Sequence, residues 1–231
     1  MSRPYRSYAW RIAVVVPALA AMGLGIALMA QSGLGLPPWQ ILNQGIARQV
    51  GLELGTVNLL VGIPVLAAWL PLGQRPGIGT VLNVVIVGLA TNAGLTVIPV
   101  PTDLAPQIAE VLLGVAVIGV CSGIYLATAL GPGPRDGIMT GIHRRFGWSI
   151  ARTRTGIEVV VLVVGILLGG TFGVGTILFA LGVGQIVQVV LRVLVREGRV
   201  MLRKGVTPVA GLAPPGAGAT PGAGVIAGDP T

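Results

Sequence analysis

The second half of the chain repeats the first half after a constant shift of 96 residues (131 − 35 and 173 − 77). The segment 35–46 matches 131–142, and the segment 77–88 matches 173–184 at the same shift. One offset that holds over two separated blocks indicates a duplicated unit, because shared glycine and valine content alone would not keep the spacing. Whatever fold the first unit adopts, the second unit is expected to adopt it too.

Each unit carries enough apolar sequence for three membrane spans. Hydrophobic residues make up 53% of the chain and charged residues 10%, far from the averages of soluble domains. Since about 20 apolar residues cross a bilayer, six spans are predicted, at roughly 10–31, 54–73, 77–99, 107–130, 154–171 and 174–196. An odd number of spans per unit would place the two copies upside down relative to each other. The predicted fold class is therefore an all-α polytopic membrane protein. Its six transmembrane helices form two inverted three-helix repeats, with short helices after spans 1 and 4.

The basic residues predict which side of the membrane each loop faces. If the N-terminus is cytoplasmic, Arg48 is the only one of the 15 Lys and Arg residues that lies outside, as the positive-inside rule requires. Both termini are then cytoplasmic. The predicted segments are a cytoplasmic N-terminus (1–9), repeat 1 (10–99), an external loop (100–106), repeat 2 (107–197) and a largely disordered Pro/Gly/Ala-rich cytoplasmic tail (198–231).

Two motifs carry a family resemblance. The first is Gly-Leu-Gly-x-x-Pro-Trp at 33–39, and the second is Gly-Pro-Gly-Pro-Arg-Asp-Gly at 131–137. Together with the small residues of the first span and the two Gly-x-Gly-Thr segments, they resemble the YczE/YyaS/YitT-like family of bacterial integral membrane proteins. The resemblance implies a polytopic inner-membrane protein over about residues 10–197, and it implies no particular activity.

The two equivalent segments 32–50 and 131–153 follow the first and fourth spans. One interpretation is a pair of short, partly re-entrant helices that form symmetric gates, with free N–H groups at their N-termini for an anion. The alternative is two surface hairpins in which Gly and Pro only set turns. Candidate hinge or turn residues lie in the repeated Gly-x-Gly-Thr motif: Gly77, Gly79, Thr80, Gly173, Gly175 and Thr176.

Polar residues at or near membrane depth give the candidate substrate or ion pathway. Arg135 could hold an anion through its planar guanidinium, or it could pair with Asp136 to fix a loop. Glu158 is either a proton or cation site or an interfacial acid neutralised by Arg154, four residues earlier on the same helix face. Trp39 is expected to be an aromatic anchor in the headgroup zone. The complete set is Trp39, Gln40, Asn58, Pro134, Arg135, Asp136, Arg154 and Glu158.

Several functional classes are disfavoured. The sequence has no catalytic constellation, no metal-ligand spacing and no nucleotide fingerprint, so we expect no enzyme activity, cofactor or metal. The basic residues are spread over loops, which argues against a nucleic-acid partner. The lipid bilayer is the expected environment, and a transporter of a small molecule or ion is favoured over a membrane scaffold or accessory protein. Since the repeat region is small for a carrier, a homodimer is a further expectation.

Overall fold

The computed structural model describes residues 7–196, and this part of the chain is all-helical, without strands. The predicted tail and most of the predicted N-terminal segment lie outside the described residues. The all-α prediction is confirmed, and so are the two short helices, α2 and α6. The helices are α1 (Tyr8–Ser32), α2 (Pro38–Val50), α3 (Leu54–Ala67), α4 (Ile78–Val97), α5 (Leu104–Ala127), α6 (Pro134–Phe146), α7 (Ile150–Leu167) and α8 (Val174–Arg196).

The helices of the two halves begin at equivalent positions. Each helix from α5 to α8 starts 96 residues after its counterpart among α1 to α4, as the starts at Tyr8 and Leu104 illustrate (104 − 8). Residues with left-handed backbone are also separated by 96 residues, although L-residues other than glycine rarely adopt this conformation. The described residues with positive φ form four pairs at this offset: Gly33 and Ala129, Gly35 and Gly131, Gly51 and Gly147, and Gly73 and Gly169.

Four described helices, α1, α4, α5 and α8, are long and apolar enough to cross a membrane. The pair α2 and α3 counts as a fifth span if it is taken as one element, but it bends by 110°. The bend follows Gly51, which ends α2 in the left-handed conformation at φ 70°.

Two predicted spans have wrong boundaries. The predicted span 54–73 ends too late, because α3 stops at Ala67 and turns occupy 68–73. The predicted span 154–171 lies four residues too late at both ends, because α7 begins at Ile150 and ends at Leu167. The helix α7 also carries Arg152, Arg154 and Glu158 within 18 residues, more charge than an apolar span holds. The count of six spans therefore stays a prediction.

Antiparallel α1 and α5 form the centre of the fold and meet through small residues. A Cβ atom added to Gly25 would lie 2.9 Å from Ile118, and one added to Gly114 would lie 2.6 Å from Met29. Only glycine permits such close backbones at these positions. The helix α4 packs on α1, and α8 packs on α5 in the equivalent place, where Gly119 lies against Ile186.

Two reciprocal hydrogen bonds connect the halves. The backbone N–H of Gly79, at the start of α4, donates to the carbonyl oxygen of Leu130 at 3.0 Å. The equivalent N–H of Gly175, at the start of α8, donates to the equivalent carbonyl of Leu34 at 2.8 Å. Each half therefore completes a helix start in the other half.

The threonines of the Gly-x-Gly-Thr motif cap the same two helix starts. The Thr80 hydroxyl accepts a hydrogen bond from the Gly77 N–H at 3.2 Å and donates one to the Pro132 carbonyl at 2.7 Å. Thr176 accepts from the Gly173 N–H at 3.4 Å. Both segments therefore lie at the starts of helices, α4 and α8; their role as hinges or turns stays a prediction.

Candidate functional site

The N-termini of α2 and α6 meet in the interior of the protein. Both helices have proline as their first residue, Pro38 and Pro134, a position that needs no N–H donor. The Arg135 guanidinium lies 4.9 Å from the centroid of the Trp39 ring, a distance typical of a cation–π contact. Trp39 and Arg135 are themselves equivalent positions of the two halves, so equivalent residues touch each other here.

Trp39 is buried, with 8% of its surface exposed. The prediction of a headgroup anchor is therefore wrong, because such an anchor needs an exposed ring at the membrane surface. The indole lies under Arg135 instead. Its Nε1–H, although buried, has no hydrogen-bond acceptor among the described residues.

On the first-half side, three amide side chains connect α2 to α3. Asn43 donates to the Asn58 Oδ1 at 2.9 Å and to the Gln40 Oε1 at 3.1 Å, and Gln40 donates to the same Asn58 oxygen at 3.2 Å. Gln40 is 2% exposed and Asn43 is 1% exposed. The network is neutral, and its third member, Asn58, is half-buried.

On the second-half side, charged residues occupy the equivalent places. Asp136 stands where the first half has Gln40, and Arg154 stands where it has Asn58. The Asp136 carboxylate accepts a hydrogen bond from the Gly133 N–H and thereby caps α6. Unlike Gln40, Asp136 is exposed.

Four charged side chains are close enough to interact. Arg154 and Glu158 form an ion pair at 3.0 Å, one helical turn apart on α7. Asp136 interacts electrostatically with Arg154, Arg135 and Glu158. The group holds two positive and two negative charges. Because α7 begins at Ile150, Glu158 lies about 12 Å along the helix at 1.5 Å per residue, near its middle rather than at its start.

The Arg135 guanidinium differs from that of Arg154 in its partners. It is half-buried, and within residues 7–196 it has the Trp39 ring as its contact but no hydrogen bond or ion pair within 4 Å. The five N–H donors of the Arg135 guanidinium, which have a fixed planar geometry, are therefore available to a ligand.

A cavity of about 270 Å³ separates α7 from α8. Most of its lining is apolar, and Glu158 is the acidic residue on its wall. Its lining includes Pro38, Thr155, Glu158, Phe172, Thr176 and Ala180.

The equivalent helices of the first half, α3 and α4, are closed against each other. A Cβ atom added to Gly62 would lie 2.5 Å from the Val84 Cγ1 atom, and one added to Gly55 would lie 2.0 Å from the Gly88 carbonyl oxygen. Gly62 is the equivalent of Glu158. The two halves therefore differ at this pair of positions.

The structure brings the eight predicted site residues together around the meeting point of α2 and α6, and their roles stay predictions. Sequence analysis missed two participants, Asn43 and Trp69. Asn43 is three residues after Gln40 on a helix, a spacing that could have indicated it. Trp69 is fully buried; its Nε1–H donates to the Pro134 carbonyl at 2.9 Å, and its ring packs on Gly137.

Comparison with known proteins gives a family match. The model of a family of unknown function, DUF6198, matches residues 9–192. An uncharacterised protein of Haemophilus influenzae is 39% identical over 185 residues, which cover 80% of this chain and 85% of that protein. No solved structure matches the chain significantly.

Two Bacillus subtilis proteins are also similar. The uncharacterised membrane protein YczE is 31% identical over 74% of this chain and 80% of its own length. The uncharacterised protein YyaS is 27% identical over 80% of this chain and 94% of its own length. The predicted resemblance to the YczE and YyaS group is confirmed.

Proposed function

We propose that this chain, which belongs to the family of unknown function DUF6198, is a small-molecule or ion transporter of the bacterial inner membrane. The membrane setting agrees with the relative YczE, which is described as a membrane protein, and with the four apolar helices. The proposed architecture is two inverted repeats of three spans. The shared helix starts, the four positive-φ pairs and the reciprocal hydrogen bonds support it.

In this architecture α2 and α6 are re-entrant half-helices. The axis that relates inverted repeats lies in the membrane plane. In such an arrangement the contact between the equivalent residues Trp39 and Arg135 would lie on this axis, at the middle of the membrane. The irregular backbone before each half-helix is covered by protein, because Leu34 and Leu130 accept the reciprocal hydrogen bonds.

The observation that carries the proposal is the difference between the halves. The helices α3 and α4 are closed, whereas a cavity separates α7 from α8. Gln40 is buried, whereas its equivalent Asp136 is exposed. In alternating access the two halves exchange such conformations around a central site. The described state would then be one of two, with the second half open.

A cysteine-accessibility experiment tests this proposal. Single cysteines replace Gln40 or Asp136 in a Cys121→Ala background, and membrane-impermeant thiol reagents label them in vesicles of both orientations. A proton or sodium gradient, or a panel of small metabolites, should change the two accessibilities in opposite directions. A cysteine at Thr102, in the predicted external loop, is the control and should not respond.

The second candidate function is a non-catalytic scaffold or accessory protein, in which the cavity between α7 and α8 is a fixed feature. Labelling that stays constant at both positions under every gradient and ligand would favour this scaffold and argue against transport.

A further inference from the structure

We propose that the meeting point of α2 and α6 is a binding site for a small monocarboxylate with an apolar body, held by Arg135 and Trp39. The inference rests on the proposed transport function, whose substrate class it names. It begins with Arg135, whose guanidinium is half-buried and has no hydrogen-bond or ion-pair partner among residues 7–196. Asp136 and Glu158 act on its charge at longer range, but its N–H donors make no hydrogen bond in this part of the chain, so a bound anion would satisfy them. The fork of its N–H groups matches the two oxygens of a carboxylate.

Trp39 gives the independent second observation. Its side chain is more than nine-tenths buried and packs against the Arg135 guanidinium. Its Nε1–H has no acceptor among the described residues, although buried indole N–H groups usually find one. A donor in this place needs an acceptor, and a carboxylate bound to Arg135 would supply it. A cation would leave the Trp39 donor unpaired and would be repelled by Arg135.

The two carboxylates of the site affect a bound anion differently. The Glu158 carboxylate is already paired with Arg154 at 3.0 Å. The Asp136 carboxylate is held by the Gly133 N–H at the N-terminus of α6, where it competes with an external anion for the same positive region. Both half-helices present the positive ends of their dipoles here.

The size and lining of the neighbouring cavity define the rest of the ligand. Pro38, the residue before Trp39, is part of the lining of the cavity of about 270 Å³, whereas Trp39 and Arg135 themselves are not. At about 30 Å³ per water-sized group, it holds on the order of nine non-hydrogen atoms. Val159, Leu162 and Phe172 line it, so an apolar body of this size fits. The ligand is therefore a carboxylate such as butyrate or benzoate rather than a dicarboxylate, a sugar or a phosphate ester.

The test is ligand-dependent thermal stabilisation of the purified full-length protein. The probes are sodium butyrate and sodium benzoate, with butylammonium chloride and 1-butanol as charge controls at the same ionic strength. The two carboxylates should raise the unfolding temperature in a saturable way, and the two controls should not. Stabilisation by butylammonium equal to that by butyrate would overturn the inference.

Variants assign the effect to the site. Arg135→Gln should weaken butyrate binding by about tenfold or more, and Trp39→Phe, which keeps a ring but removes the N–H, should weaken it by about fivefold. Asp136→Asn should tighten binding by about tenfold, since it removes the competing charge. Arg144→Gln, at an exposed arginine of the same helix, is the matched control and should bind as the parent does.

If Arg135→Gln fails to fold, Arg135→Lys keeps the charge without the fork and should still bind more weakly than the parent. Unchanged affinity in Arg135→Lys and Trp39→Phe would overturn the inference. Transport is scored separately by uptake of labelled butyrate into proteoliposomes. Binding without uptake would support this site and reject the transporter; uptake of a cation that ignores butyrate would support the transporter and overturn the site.

Discussion

Replacing Thr80 by valine removes a single hydroxyl group while keeping the shape of the side chain. Thr80 is completely buried. Its hydroxyl accepts from the Gly77 N–H and donates to the Pro132 carbonyl. Each lost hydrogen bond is worth about 1 kcal/mol, and a partner that stays buried and unpaired adds to the cost. We therefore expect Thr80→Val to lower the free energy of unfolding by about 2–3 kcal/mol.

Thr176→Val is the matched control, because Thr176 holds the equivalent position. Its hydroxyl accepts one hydrogen bond, at 3.4 Å, and the residue lines the cavity between α7 and α8. A weak bond next to open space costs less, so the expected loss is about 0.5–1 kcal/mol. The two substitutions are chemically identical, and the difference between them depends only on the surroundings.

The chain provides its own reporter for this measurement. Cys121 is the single cysteine and is buried in α5, so a thiol-reactive dye labels it when the protein unfolds. Labelling is followed during a titration with denaturing detergent in mixed micelles, and the midpoint and slope give the free energy. Equal losses in Thr80→Val and Thr176→Val, or no loss in Thr80→Val, would refute the argument from the reciprocal turns.

Three further predictions use variants elsewhere in the chain. Cysteines at Thr102 and Ser149 in a Cys121→Ala background should be labelled from outside and inside respectively, and labelling of both from one side would exclude an odd number of spans per repeat. Gly62→Ala should destabilise the protein by about 1–3 kcal/mol because its Cβ would lie 2.5 Å from Val84. Gly156→Ala, with open space around it, should stabilise the protein by about 0.5–1 kcal/mol. If the Cys121 assay finds Gly62→Ala more stable than Gly156→Ala, the result contradicts the packing of α3 on α4. Glu158→Gln should abolish substrate-driven uptake and leave folding intact, whereas Glu53→Gln, at an exposed acid, should change neither. Normal uptake in Glu158→Gln would reduce Glu158 to an ion-pair partner of Arg154.

The helical class and the duplicated backbone followed from the sequence because they depend on local features. The offset of 96 residues placed Pro38 opposite Pro134, and proline begins a helix in both halves. The end of α3 was missed because the apolar run continues past Ala67. The chain turns there so that Trp69 can reach Gly137 and Pro134, and a contact between distant segments leaves no local signature.

Trp39 was misplaced for a related reason. A tryptophan next to a predicted loop resembles an interfacial anchor, and composition cannot distinguish a loop at the surface from a segment that turns back into the protein. The cluster around Arg135 was predictable residue by residue, since polar groups at membrane depth are unusual. The difference between the open and closed halves was not, because Gly62 and Glu158 show their contrast only once α4 and α8 are in place.

The reciprocal hydrogen bonds also bear on how the protein is made. The acceptor for the Gly79 N–H belongs to Leu130, which the ribosome adds 51 residues later (130 − 79). At roughly 5–20 residues per second, the nascent first half waits about 3 to 10 seconds for that partner. During this interval the start of α4 has its local hydrogen bond between Gly77 and Thr80 but lacks the acceptor for the Gly79 N–H. A ribosome that stalls between these two residues therefore leaves a fragment in which that N–H has no partner from the second half.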